Sequence, residues 1–273
     1  MNLALAVRRS FRAELIKLWR PSTVVAMSLL AALTALSTVL IVSLADPARP
    51  RTGPGEDPAG FAVTTDQLAT ASGIARGFTG GSTFTGLLIF LVFAITITLE
   101  YSQGTLRTVF LREPRRLGWL VGRLAVMLAL VVVALAVALG LSVGVAVLVA
   151  RLRGIDTSAW WSADGAAALG SGYGNVLLAS AFFAVVGTVL GLVVRSTALT
   201  LAVGVAWTFP LEHIIQGSWR GATHVFPGLV FDAVGQGGLV DASYGTALAV
   251  GSAYALGAAL LGTVALTRRD ITA

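Results

Sequence analysis

The run from Trp119 to Ala150 carries a single charged side chain, Arg123. Nothing else in the chain limits its fold so strongly. About 20 apolar residues in a helix cross a lipid core roughly 30 Å thick, so a run this long must tilt or project beyond the lipid. Inside lipid every backbone N–H and C=O must be bonded within the chain, which leaves helices or closed barrels. Five further apolar runs follow the same pattern, at Val24–Leu44, Thr83–Leu99, Asn175–Val194, Ala198–Leu211 and Tyr244–Leu266. The chain is 56% hydrophobic and 12% charged, against about 25% charged in soluble domains. The expectation is an all-α integral membrane protein with six transmembrane helices, residues 1–273 forming one membrane domain. No room remains for a soluble catalytic domain.

Pro21 suits the first turn of the first span. Val24–Leu44 exceeds the 7–15-residue apolar core of a cleaved signal and reads as a signal-anchor, although Ser43 and Ala45 resemble a cleavage site. Arg and Lys crowd alternate segments: residues 8–20, then 107–123, then Arg195, then Arg268 and Arg269. The intervening segments hold fewer. Cationic loops stay in the cytoplasm, so both termini are predicted there. The net charge of +6 belongs to these flanking loops and gives no reason to expect nucleic acid.

The polar block Glu100–Arg116, EYSQGTLRTVFLREPRR, lies between the second and third runs. Gly104 can release the chain from the second span. Thr105–Leu111 can form two helical turns with Leu106, Val109 and Phe110 at helical spacing, and Pro114 disfavours helical geometry at Glu113. The block fits two readings, a short helix that docks a cytoplasmic partner or a solvated basic loop. Residues 1–20 likewise place Val7, Phe11, Leu15 and Leu18 at helical spacing among Arg8, Arg9, Arg12 and Lys17. That describes an amphipathic helix in the membrane interface, with Glu14 and Lys17 as an i, i+3 pair. The other reading is a topology signal alone.

The first outer loop, Ala45–Ser82, is Pro- and Gly-rich before Thr64 and reads as flexible there; Gln67–Phe78 could form a short helix. The second outer loop, Arg151–Gly174, carries Trp160 and Trp161, suited to an interface. From Trp207 to Asp241 the chain is too polar for a clean span and too apolar for a free loop. Pro210 breaks or kinks the fifth span, and Glu212, His213, His224, Asp232 and Asp241 follow. A re-entrant pair of short helices fits, with Pro210, Glu212 and His213 as a candidate outer gate. Glu212 then faces a pathway or is a solvated surface acid. Gly140/Gly144 and Gly187/Gly191 are GxxxG pairs that read as helix-packing positions.

Enzymatic signals are absent. The chain has no cysteine and two histidines, so neither a thiolate site nor a His-rich metal site is expected. A P-loop needs a lysine on the nucleotide phosphates, and the one lysine, Lys17, is in no such context. No catalytic residue, metal or bound cofactor is expected.

In their order these features resemble a family. The chain opens on AELIKLWR, continues through E-x3-GTLR-x6-P-x-R (Glu100, Gly104–Arg107, Pro114, Arg116), has a long third span and a Pro-containing insert between spans 5 and 6, and closes on Arg268-Arg269-Asp270. It is similar to the permease subunits of ABC transporters of the type-two exporter family. The resemblance implies two six-span permeases, a second copy or a related chain, in a bacterial inner membrane. Two cytoplasmic ABC ATPase subunits would carry the ATP and Mg. It implies a coupling helix at Gly104, Thr105, Leu106, Arg107, Val109 and Phe110, an interfacial helix at Phe11, Glu14, Leu15, Lys17 and Leu18, and export of an amphipathic drug, antibiotic or lipid-like molecule. The long first outer loop departs from the family pattern. A non-transporting sensor or assembly scaffold that docks its partner through the same loop is the alternative.

Overall fold

The computed structural model describes residues 3–17, 21–46, 63–112, 116–219 and 221–268. The described residues are helical throughout, without a β-strand. In order they form α1 (Leu3–Lys17), α2 (Pro21–Ser43), α3 (Thr65–Ala69), α4 (Gly73–Gly80), α5 (Ser82–Ser102), α6 (Thr105–Arg112) and α7 (Arg116–Leu152). A 3-10 turn (Ser158–Trp161) leads to α8 (Ala163–Val194), α9 (Thr197–Ala206), a π turn (Trp207–Leu211), α10 (Glu212–Ser218), α11 (Ala222–Val225), α12 (Pro227–Gly235) and α13 (Tyr244–Arg268). Five segments are long and apolar enough to cross a membrane: Pro21–Ser43, Gly73–Ser102, Arg116–Leu152, Ala163–Val194 and Tyr244–Arg268. This is the make-up of a multi-pass membrane protein.

Two segments run longer than their apolar pattern. The second includes α4 as well as α5 and starts at Gly73, not Thr83. The fourth starts at Ala163, so most of the loop expected over Arg151–Gly174 is helix. Ser162 caps α8 by accepting from the Gly165 N–H (3.2 Å), satisfying one of the orphan donors of a helix start. The Gly- and Ala-rich first turns of α8 look like a breaker in sequence. In three dimensions their small side chains let α8 meet α4 closely, for a Cβ at Gly172 would lie 3.0 Å from Thr79.

The bundle centre is built on α5 and α8. A Cβ at Gly187 would stand 2.6 Å from the Phe90 carbonyl oxygen, and one at Gly191 3.1 Å from that of Ala94. This GxxxG pair is therefore a packing seam. A Cβ at Gly140 or at Gly144 would meet nothing within 4 Å, so among the described residues that pair forms no such seam. Around α5 and α8, Phe93, Leu135, Val131 and Ala138 join α2 and α7 to one side of the core. Phe182, Phe183, Phe231 and Val230 join α12 and α13 to the other. The hydroxyls of Thr38 in α2 and Ser142 in α7 share a 2.7 Å hydrogen bond in the interior.

The two ends differ. At one, α3, α4 and the 3-10 turn cover the bundle: Trp160 is buried and its indole N–H donates to the Leu68 carbonyl (2.6 Å). Thr64 and Gln67 form the capping box of α3, each side chain accepting from the other's N–H at 3.2 Å. At the other end lie α6, the starts of α7 and α9, and the last turn of α13. Here α1 packs on α7: Ser10 Oγ donates to the Trp119 carbonyl (2.9 Å), and Gly122 leaves room, since a Cβ there would sit 2.6 Å from Ser10 Cβ.

Candidate functional site

The corner where α5 turns through α6 into α7 gathers the polar block. Gly104 takes the left-handed backbone (φ 67°), which glycine adopts at least cost, and α6 begins at the next residue. Thr105 Oγ1 donates to the Glu100 carbonyl (3.1 Å) and also to the Glu100 carboxylate. Arg123 Nη1 donates to Glu100 Oε1 (2.9 Å) and Nη2 to the Thr96 carbonyl (3.0 Å). Its guanidinium also lies over the Trp119 ring, 5.4 Å from the centroid. The Arg123 and Glu100 side chains are 5% and 13% exposed, so the pair is held away from bulk water, where breaking it costs most.

α6 presents two faces. Leu106 is 1% and Phe110 9% exposed. They pack with Ile97, Trp119, Leu120, Leu192 and Leu266, side chains from α5, α7, α8 and α13. Phe110 meets Trp119 edge-on at 5.4 Å. Arg116 stands over Phe110 (5.6 Å) and donates to the Leu266 carbonyl (2.9 Å). Val109 is half-buried, while Thr108 and Leu111 face outward, Leu111 80% exposed. The expected helix is present, but its most apolar side chains turn into the bundle. Among the described side chains of α6, the surface left to a visitor is Thr108 and Leu111.

Of the interfacial-helix residues, Phe11 is half-buried and Leu15 exposed, with Ile16 exposed beside it. Leu18, Pro114, Arg269 and Asp270 lie outside the described residues, as do the Pro- and Gly-rich half of the first loop and the side chains of Glu14, Lys17 and Arg107.

The residues expected at an outer gate are brought together, with different work. Pro210 lies in the π turn, exposed, and His213 is half-buried. Glu212 is 0% exposed, so the surface-acid reading does not hold. Its Oε2 accepts from the Leu229 N–H (3.0 Å). That donor lies in the first turn of α12, whose N-cap, Phe226, has no polar side chain. Glu212 thus caps a neighbouring helix, where a carboxylate also meets the favourable end of the helix dipole. The other end of α12 is latched to α5: Asp232 accepts from Ser82 Oγ through Oδ1 and from Gln236 Nε2 (2.8 Å) through Oδ2.

Sequence reading missed the Glu100–Arg123 pair. The available signal was an acid at the end of one apolar run and a base inside the start of the next, which antiparallel helices bring level. No family model matches the chain, and no curated protein matches it. What the fold and this corner define is a class: an all-helical protein with membrane-length apolar segments and a short amphipathic helix clamped at one end.

Proposed function

We propose that the chain is the membrane-spanning subunit of an ATP-driven exporter of the ABC type, working with a separate ATPase. The observation that carries this reading is the build of α6. Its buried side chains share an apolar cluster with residues of four long helices, its other face offers Leu111, and the chain has no P-loop lysine of its own. A helix so placed would receive a push from a cytoplasmic ATPase and pass it to α5 and α7 through Leu106, Phe110 and the Glu100–Arg123 pair. In this reading Gly104–Leu111 is the coupling element and Thr108 and Leu111 lie on its contact surface. α9, the π turn and α10 together measure roughly 33 Å at 1.5 Å per residue, which suits a sixth crossing. α11 and α12 form the re-entrant element. Both termini and α6 face the cytoplasm of a bacterial cell, and α1 lies in the inner-leaflet interface. Two ATPase copies and a second permease complete the transporter, whose cargo is amphipathic.

The test is co-purification in mild detergent from the native membrane. A P-loop ATPase should accompany the unaltered chain and be reduced at least tenfold by Leu111→Asp. Absence of any ATPase, or undiminished recovery with the variant, overturns the reading. An accompanying ATPase whose hydrolysis moves no amphiphile would favour the scaffold.

A further inference from the structure

Between α2, α5 and α7 lies a cleft of about 350 Å³, large enough for a small ligand. Its two ends differ in chemistry. Towards α6 it is lined by Ser22, Thr23 and Gln103 and by the Glu100–Arg123 pair. Towards the bundle middle it is lined by Ile89, Val92, Phe93, Met127 and Val131. Along α5 the distance from Gln103 to Ile89 is roughly 21 Å at 1.5 Å per residue. The cleft is therefore long enough to take an extended alkyl tail along α5. A second concavity of about 460 Å³ between α8, α12 and α13 is apolar almost throughout. Its one hydroxyl, that of Tyr254, is engaged on the Val225 carbonyl, so little remains there to orient a ligand.

The polar end also limits the head group. Arg123 has both terminal nitrogens engaged, on Glu100 and on the Thr96 carbonyl. Glu100 takes Arg123 on one oxygen and Thr105 on the other. The two charges therefore answer each other. Among the described residues lining the cleft, a head carrying its own net charge would meet no further counter-charge, and burying an uncompensated charge is costly. Hydroxyl and amide groups, by contrast, can pair with a head that both donates and accepts.

We infer that this cleft binds an amphiphile with an uncharged, hydroxyl-bearing head, its head at the α6 end and its tail along Phe93 and Val131. The site stands apart from the reading of the chain as a transporter, since binding needs no ATPase.

The test uses the full chain in phosphatidylcholine nanodiscs and three photoreactive probes with the same diazirine-bearing tail: a monoacylglycerol, a fatty acid and an alkyltrimethylammonium. Adducts are mapped by peptide mass spectrometry. The monoacylglycerol should label residues 89–103 and 123–131 at least fivefold more than either charged probe. Excess unlabelled monoacylglycerol should compete the signal away. Val92→Trp, which fills the cleft, should abolish it, and Ile214→Trp, on an exposed surface, should leave it intact. Equal labelling by the three probes, stronger labelling by a charged one, adducts scattered over the lipid-facing helices, or no labelling overturns the proposal. Should Val92→Trp fail to fold, Met127→Phe and the competition on the unaltered chain decide the matter.

Discussion

Glu212 and Gly228 form a two-residue device. The carboxylate reaches the Leu229 N–H only because position 228 has no side chain, since a Cβ there would stand 2.5 Å from Glu212 Oε2. Glu212→Ala removes the acceptor and should cost about 1–2 kcal/mol, the range for a lost helix cap. Glu212→Gln retains an amide oxygen and should cost less. Gly228→Ala leaves the acid in place but displaces it, and should destabilise about as much as Glu212→Ala. Thermal unfolding of the purified chain in detergent gives the ranking, and a neutral Gly228→Ala would show that the cap is not as described. Sequence reading set Glu212 just after Pro210, and the structure has it at the start of α10, behind the π turn. The sequence could not say what the carboxylate bonds to, because its partner lies 17 residues further on, across a turn whose course follows from packing.

Among the elements, α6 separates stability from docking. Leu106 is buried among four helices, so Leu106→Ala should cost about 2–4 kcal/mol through lost burial and the cavity it leaves. Leu111 is solvent-facing, so Leu111→Asp should shift stability by no more than about 0.5 kcal/mol while weakening ATPase recovery. Thermal unfolding of both variants beside the co-purification experiment tests this division. That Thr105–Leu111 could form a helix was legible from Gly104, the apolar spacing and Pro114, but the same residues fitted a solvated loop equally well. Which face is buried was not legible, because Leu106, Val109, Phe110 and Leu111 are all apolar and periodicity alone does not choose among them. The early start of α8 was hidden for another reason. Gly165, Gly170, Gly172 and Gly174 look like turn residues, yet a bundle of closely packed helices tolerates glycine.

At the scale of the molecule, long apolar runs between short polar blocks foretold an all-helical bundle, because lipid leaves the backbone so few options. The lateral order of the helices was not legible, since Ala, Val and Leu repeat on every face. Side chains such as Phe90, Phe183 and Trp160, set against glycines, fix that order. Topology can be tested directly because the chain contains no cysteine. Single cysteines at Ser102, Ser158, Ser196 and Ser218, all exposed, would test it. With six crossings, a membrane-impermeant thiol reagent applied to intact cells should label Ser158→Cys and Ser218→Cys. It should reach Ser102→Cys and Ser196→Cys only after lysis. Labelling of Ser196→Cys and Ser218→Cys from the same side would rule out a crossing by α9 and α10.

The two-sided build of α6 has a consequence for how such a protein can change its associations. Among the described side chains, Leu106 and Phe110 help hold α6 in the bundle, and Thr108 and Leu111 face outward. A new partner could be accommodated by rewriting the outward pair while the inner pair stays untouched, so recognition could be retuned without refolding the machine behind it.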